Sequence, residues 1–316
     1  MTDRVLVTGG AGFIGSHLVE ALLARGQSVR VLDNFSTGRR ENLHTVRDRI
    51  ELITGDLRDP EMVGRALSGV RWVFHQAALV SMSLSVTDPL LCHQINESGT
   101  LSLLIAARDA GVEKVVIASS AAVYGNDPTL PKRESQTCTP ASPYGWSKRA
   151  CEMYGAVFSE LYGLSVTCLR YFNVFGPRQD PASPYAAVIP IFATRMAQSQ
   201  APTIFGDGAQ TRDFVFIEDV VRANLLAAEA QKPGPFNVAT GRTHSLLDLV
   251  AILNRVLDRS IEPHFEAPRP GDIRDSSADA TLIRDELGFE AQVGFEDGLR
   301  RLVASLPGAR SRGAER

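Results

Sequence analysis

The chain has 316 residues, 44% of them hydrophobic and 22% charged, with a formal net charge of −3 at pH 7. These values suit one large α/β body or two closely joined domains, and they exclude a disordered or fibrous chain. A mildly acidic balance also speaks against a nucleic-acid partner, which selects a basic face, so any phosphate recognition has to be local.

Short β-branched runs predict strands over 3–8, 28–33, 50–54, 71–75, 114–119 and 164–169, with helical patterns between them. Ile14, Leu18, Ala21 and Leu22 share one helical face, and so do Leu101, Leu104, Ile105 and Arg108. Strands alternating with helices predict a doubly wound parallel sheet. After residue 170 the texture becomes rich in Pro and Gly, as in Gly176-Pro177 and Gly206-Asp207-Gly208, which suggests a substrate-facing region. A helix over 218–230 and a short strand at Phe236-Asn237-Val238 then return to the first body. The expected domains are therefore discontinuous: 1–170 with 212–241 for a dinucleotide, 171–211 with 242–306 for a substrate, and a flexible tail over 307–316.

The first strand runs into Thr8-Gly9-Gly10-Ala11-Gly12-Phe13-Ile14-Gly15, where a helical pattern begins at once. Glycine lets the backbone turn tightly and approach a pyrophosphate, and the helix N-terminus offers free N–H groups to that anion. Asp33 closes the second strand 21 residues after Gly12. An acid there accepts from ribose hydroxyls and repels a 2′-phosphate, so NAD is expected rather than NADP, on a Rossmann sheet.

Tyr144 and Lys148 lie four apart in Tyr144-Gly145-Trp146-Ser147-Lys148, on one helical face. They follow Ser119-Ser120 at the end of the fifth strand, the end at which open α/β sheets bind ligands. A phenol with an ordinary pKa of about 10 becomes a base near neutrality only if stabilised as its anion, which Lys148 and a nicotinamide ring would do. Ser120 would hydrogen-bond the reacting hydroxyl. The expected chemistry is proton removal from an alcohol coupled to hydride transfer from its carbon.

The Gly9, Gly12 and Gly15 spacing resembles the short-chain dehydrogenase/reductase family, and similarity to its extended, sugar-nucleotide members runs from residue 3 to about 290. That resemblance implies cofactor contacts from Phe13, Ile14, Asn34, Asp56, Leu57, Ala77, Ala78, Asn96 and Tyr171 besides the glycines, Asp33, Tyr144 and Lys148. Arg170-Tyr171-Phe172-Asn173 resembles the segment that offers Asn173 to the sugar diphosphate. Val188, Thr203 and Phe205 would meet the nucleoside, and Asp272 its ribose. Arg212 and Arg269 would grip the diphosphate, a role suited to two guanidinium forks. Ser81 would bond the sugar, and Ser276 would leave room at the hexose wall for a 2-acetamido group.

Similar dehydratases and decarboxylases carry an acid at the position of Ala122, and alanine transfers no proton. The implied activity is NAD-dependent 4-epimerisation of UDP-hexoses. A nucleotide-sugar decarboxylase or dehydratase, and a non-catalytic NAD-binding regulator, stand as alternatives. The resemblance further implies a homodimer through helices near 90–107 and 145–162. Cys92, Cys138, Cys151 and Cys168 form no CxxC pair and the six histidines show no ligand spacing, so no metal is expected. The N-terminus carries no secretion pattern and no run of about 18 apolar residues follows, so a cytoplasmic protein without a membrane partner is expected.

Overall fold

The computed structural model describes residues 4–181, 187–230, 232–268 and 273–306. The expectations for Arg269, Asp272 and the tail over 307–316 lie outside these residues. The strands are β1 (Arg4–Thr8), β2 (Ser28–Asp33), β3 (Ile50–Thr54), β4 (Val70–His75), β5 (Lys114–Ser120), β6 (Ser165–Tyr171), β7 (Asn173–Phe175), β8 (Thr203–Phe205), β9 (Thr211–Arg212), β10 (Phe214–Phe216), β11 (Gly234–Val238), β12 (His244–Ser245), β13 (His264–Glu266) and β14 (Asp275–Ser276). The helices that position the site are α1 (Phe13–Ala24), α2 (Pro60–Leu67), α3 (Met82–Thr87), α4 (Pro89–Cys92), α5 (Gly99–Asp109), α6 (Pro143–Tyr162), α7 (Val188–Ala197) and α8 (Ile217–Glu229).

A seven-stranded parallel sheet runs in the order β11-β6-β5-β4-β1-β2-β3. The order reverses between β1 and β4, which opens a crevice at the carboxyl ends of those strands. Alternate side chains serve opposite faces: Val5, Val7, Val29 and Val31 belong to one core, Leu6 and Leu32 to the other. Burial on both faces explains why these strands read as nearly continuous apolar runs.

Expected and observed strands differ most at β6, which runs to Tyr171 rather than 169. Arg170 and Tyr171 pair in register with Asn237 and Val238 of β11. An arginine resembles a strand end in sequence, yet Arg170 is 1% exposed because Glu152 neutralises it from α6. β11 thereby becomes a seventh strand of the same sheet. The helix expected over 218–230 is α8, Ile217–Glu229.

Outside the sheet, short strands hold the remaining segments: β7 with β10, β8 with β13, and β9 between β12 and β14. None of these pairs exceeds three residues in either strand. Among the described residues no helix is long and apolar enough to cross a membrane.

Candidate active site

A cleft of about 530 Å3 lies over the carboxyl ends of the strands, between the β1 loop and the start of α6. Gly12 caps α1 without a side-chain acceptor, and the first-turn residues Phe13, Ile14 and Gly15 line the cleft. That leaves backbone N–H groups and the positive end of the helix dipole for an anion. Two glycines are demanded by space. A Cβ on Gly15 would stand 2.1 Å from the Gly9 carbonyl oxygen, and a Cβ on Gly9, whose φ is +66°, would stand 2.7 Å from Ala77 N.

Asp33 is held rigidly at the end of β2. Its carboxylate accepts from Ala11 N at 2.9 Å and Phe35 N at 2.8 Å. Two further lone-pair directions remain for hydroxyl donors. Asn34 donates to Asp56 at 2.8 Å, and Arg58 grips the same carboxylate with two bonds of 2.9 and 2.8 Å. These bonds hold the Asp56 carboxyl well below the usual carboxylate range. Leu57, Ala77, Ala78 and Tyr171 complete the walls. An anion cradle at a helix end, a carboxylate placed for vicinal hydroxyls and an apolar slot together fit a dinucleotide.

Of the cofactor residues expected from sequence, Asn96 alone does not line the cleft. It is 1% exposed and grips Leu79 from both sides, accepting from its N–H at 2.7 Å and donating to its carbonyl at 2.9 Å. It also donates to Ser147 Oγ at 2.9 Å, tying the wall beside Ala77-Ala78 to α6. Sequence reasoning missed Ser36, Thr37, Gly38, Gln76 and Gln179, which also line the cleft. Gly38 is required by space that only the fold reveals: a Cβ there would lie 2.9 Å from the Asp33 carboxylate.

Ser120, Tyr144 and Lys148 meet at the other end of the cleft. Ser142 caps α6 by accepting from Gly145 N at 3.1 Å, and Pro143 occupies the first turn, so the helix starts immediately before Tyr144. Lys148 Nζ lies 6.0 Å from the Tyr144 ring centroid and donates to the Ala118 carbonyl at 2.9 Å. Burial pushes the Tyr144 phenol up to about 12, against a lowering hydrogen bond with Ser120. Burial also lowers the Lys148 ammonium. Burial and positive charge therefore act on the phenol in opposite directions, and the lowering expected from Lys148 together with a nicotinamide ring works against desolvation.

This constellation has relatives. The family profile described as GDP-mannose 4,6 dehydratase matches residues 6–302. The chain belongs to that family of extended short-chain dehydrogenase/reductases. It is 42% identical over 305 residues to a UDP-glucose 4-epimerase of Mycolicibacterium smegmatis, covering 95% of this chain and 97% of the relative. A solved UDP-N-acetylglucosamine 4-epimerase from Methanobrevibacter ruminantium, in complex with UDP-N-acetylmuramic acid, superposes with a TM-score of 0.92 at 42% identity. It covers 96% of this chain and 98% of that one. A UDP-glucose 4-epimerase from Thermus thermophilus in complex with NAD gives 0.87 at 41% identity, covering 97% and 99%.

The substrate positions expected of this extended short-chain dehydrogenase/reductase are placed less uniformly. Ser120 lines the cleft. Ser81 does not: it is 6% exposed, and its hydroxyl caps α3 by accepting from Leu84 N at 3.0 Å, so a local turn has claimed it. Asn173, Arg212 and Ser276 are brought together by backbone bonds, Asn173 N donating to Asp213 O at 3.1 Å and Asp213 N to Ser276 O at 2.9 Å. Arg212 pairs in register with Ser276, and its guanidinium donates to the carbonyls of Thr211 and Arg274. Thr203 and Phe205 bound β8, paired with His264 and Glu266 of β13, the strand that leads towards Arg269. Val188 begins α7.

Proposed function

We propose that this chain is an NAD-dependent 4-epimerase of UDP-hexoses, acting on the UDP-glucose/UDP-galactose pair and on the 2-acetamido pair. One observation carries the reading: among the described residues, Ser120, Tyr144 and Lys148 converge at a glycine-lined dinucleotide cleft with no carboxylate lining it beside them. Among the described residues lining that cleft the carboxylates are Asp33 and Asp56, both at the loop end beside β2 and β3, while position 122 is alanine. Elimination and decarboxylation lack their additional acid or base, and a single oxidation and reduction at C4 remains.

Tyr144 takes the O4 proton, Ser120 holds that oxygen by a hydrogen bond, and Lys148 stabilises the phenolate from the same helical face. The glycine loop and Asp33 would hold NAD, which would supply the acceptor for the C4 hydride and the source of its return. Because burial raises the phenol, the positive charges of Lys148 and of a bound nicotinamide ring would together supply the field that favours its anion. Arg212 and Arg269 hold the diphosphate while the 4-keto sugar turns over, and Ser276 leaves room for the acetamido group. Purified protein incubated with UDP-sugars and no added reductant should produce the 4-epimer at unchanged mass, read by anomeric-proton NMR. A product that has lost water or carbon dioxide would refute the reading.

The working unit we propose is a cytoplasmic homodimer. Trp146, Met153, Val157 and Leu161 of α6 and Ile105 of α5 are exposed large apolar side chains, which a second copy of the same face would cover. The four cysteines are free, as in a reducing compartment.

A further inference from the structure

Tyr144, Lys148 and Glu152 follow one another at intervals of four along α6 and so form a single stripe. Each meets the carboxyl end of β5: Tyr144 through Ser120, Lys148 through the Ala118 carbonyl, and Glu152 through Ser119, whose hydroxyl donates to Glu152 Oε1 at 2.6 Å. The first two contacts belong to the proton-transfer site. The third has no part in the chemistry described so far.

Glu152 is 4% exposed and fully partnered. Arg170 grips it with two bonds of 2.8 Å, and Arg149 adds one of 2.9 Å. Arg170 faces Ser119 in the β5/β6 register. Its other terminal nitrogen donates to the Tyr124 hydroxyl at 2.9 Å, and that hydroxyl donates to Asn237 Oδ1 at 2.6 Å. Tyr124 closes the 3-10 turn Ala121–Tyr124, which Ser120 opens as its cap. The six residues from Ser119 to Tyr124, which include Ser120, are therefore tethered at both ends to one buried ion pair. A buried pair adds little stability over apolar residues of the same volume, whereas its directional bonds fix geometry.

We propose that Ser119 and Glu152 are positioning residues: the Ser119–Glu152–Arg170 array sets the place of the Ser120 hydroxyl against Tyr144. The inference rests on the reading of Ser120 and Tyr144 as the groups that handle the substrate proton. Another bond to the Ser120 hydroxyl comes from Ala122 N at 3.1 Å, within the same turn, so the hydroxyl follows the backbone that carries it.

The test uses Ser119→Ala, which deletes the bond to Glu152 and keeps the ion pair, in the NAD-loaded protein. Turnover is expressed per bound NAD, so that misfolded protein is not counted. The variant should lose about tenfold in kcat with KM changed less than about twofold, and its primary deuterium isotope effect at C4 should rise, as misplacement slows the chemical step. Ser119→Thr, which restores the hydroxyl, should recover most of the turnover. In a crystal structure of the NAD-loaded Ser119→Ala protein the Ser120 Oγ should stand about 0.5 Å or more further from the Tyr144 hydroxyl than in the parent. Unchanged turnover per NAD, or turnover falling only in step with the NAD-loaded fraction, overturns the proposal. A parent protein that interconverts no UDP-hexose sinks the functional reading instead, and the crystallographic separation then decides the positioning role alone.

Discussion

The two halves of the site are built in different ways. The dinucleotide cleft is made from loops at consecutive strand ends, and its decisive contacts are backbone contacts enforced by Gly9, Gly15 and the start of α1. The proposed sugar-nucleotide half joins β7, β9 and β14, segments drawn from between residues 173 and 276, through single backbone bonds between strands of two or three residues. The first design tolerates no added atom and holds one ligand rigidly. The second presents side chains on short supports, which suits a pocket whose hexose has to turn over while its diphosphate stays anchored.

Substitutions at the two halves should break in correspondingly different ways. Tyr144→Phe should have the largest effect, lowering kcat by about 10³- to 10⁴-fold while leaving NAD affinity nearly unchanged, as NMR turnover and cofactor titration would show. Gly15→Ala comes next. With a Cβ set 2.1 Å from the Gly9 carbonyl it should cost about 1–3 kcal/mol in denaturant unfolding and take NAD binding with it. Arg212→Ala should spare both stability and NAD affinity but raise KM for every UDP-sugar alike, by about 1.5–3 kcal/mol of lost charge-assisted bonding. Ser276→Tyr should be smallest and most selective, reducing kcat/KM on the acetamido pair about tenfold relative to the UDP-glucose/UDP-galactose pair. Equal losses on both pairs would place the hexose wall elsewhere.

The same division governs what could be read in advance. Gly9, Gly12, Gly15 and Asp33 were legible because each lies at or just after a strand end, and Tyr144 with Lys148 because they stand one turn apart on a single helix. Ser81 shows the complementary case. A serine at a helix start has a local partner available, and its oxygen accepts from Leu84 N instead of lining the cleft. Gln76 and Gln179 reach the cleft from segments far apart in the chain, and a glutamine carries no periodic signal to announce it.

Arg170 shows the limit most clearly. In sequence it is a charge at the edge of an apolar run, a natural stopping point for β6. In the fold it is a nearly inaccessible cation whose two-bond grip on Glu152 extends the strand and braces the turn behind Ser120.

Local chemistry, written in consecutive residues, was enough to specify the wound sheet, the anion-binding loop and the tyrosine-lysine stripe, because backbone sterics and helical periodicity act over short distances. The buried Glu152–Arg170 pair, the refusal of Asn96 and Ser81 to line the cleft, and the suppressed acidity of Tyr144 were decided by tertiary structure alone. Each depends on which groups lose water together, and desolvation is a property of packed neighbours rather than of order along the chain.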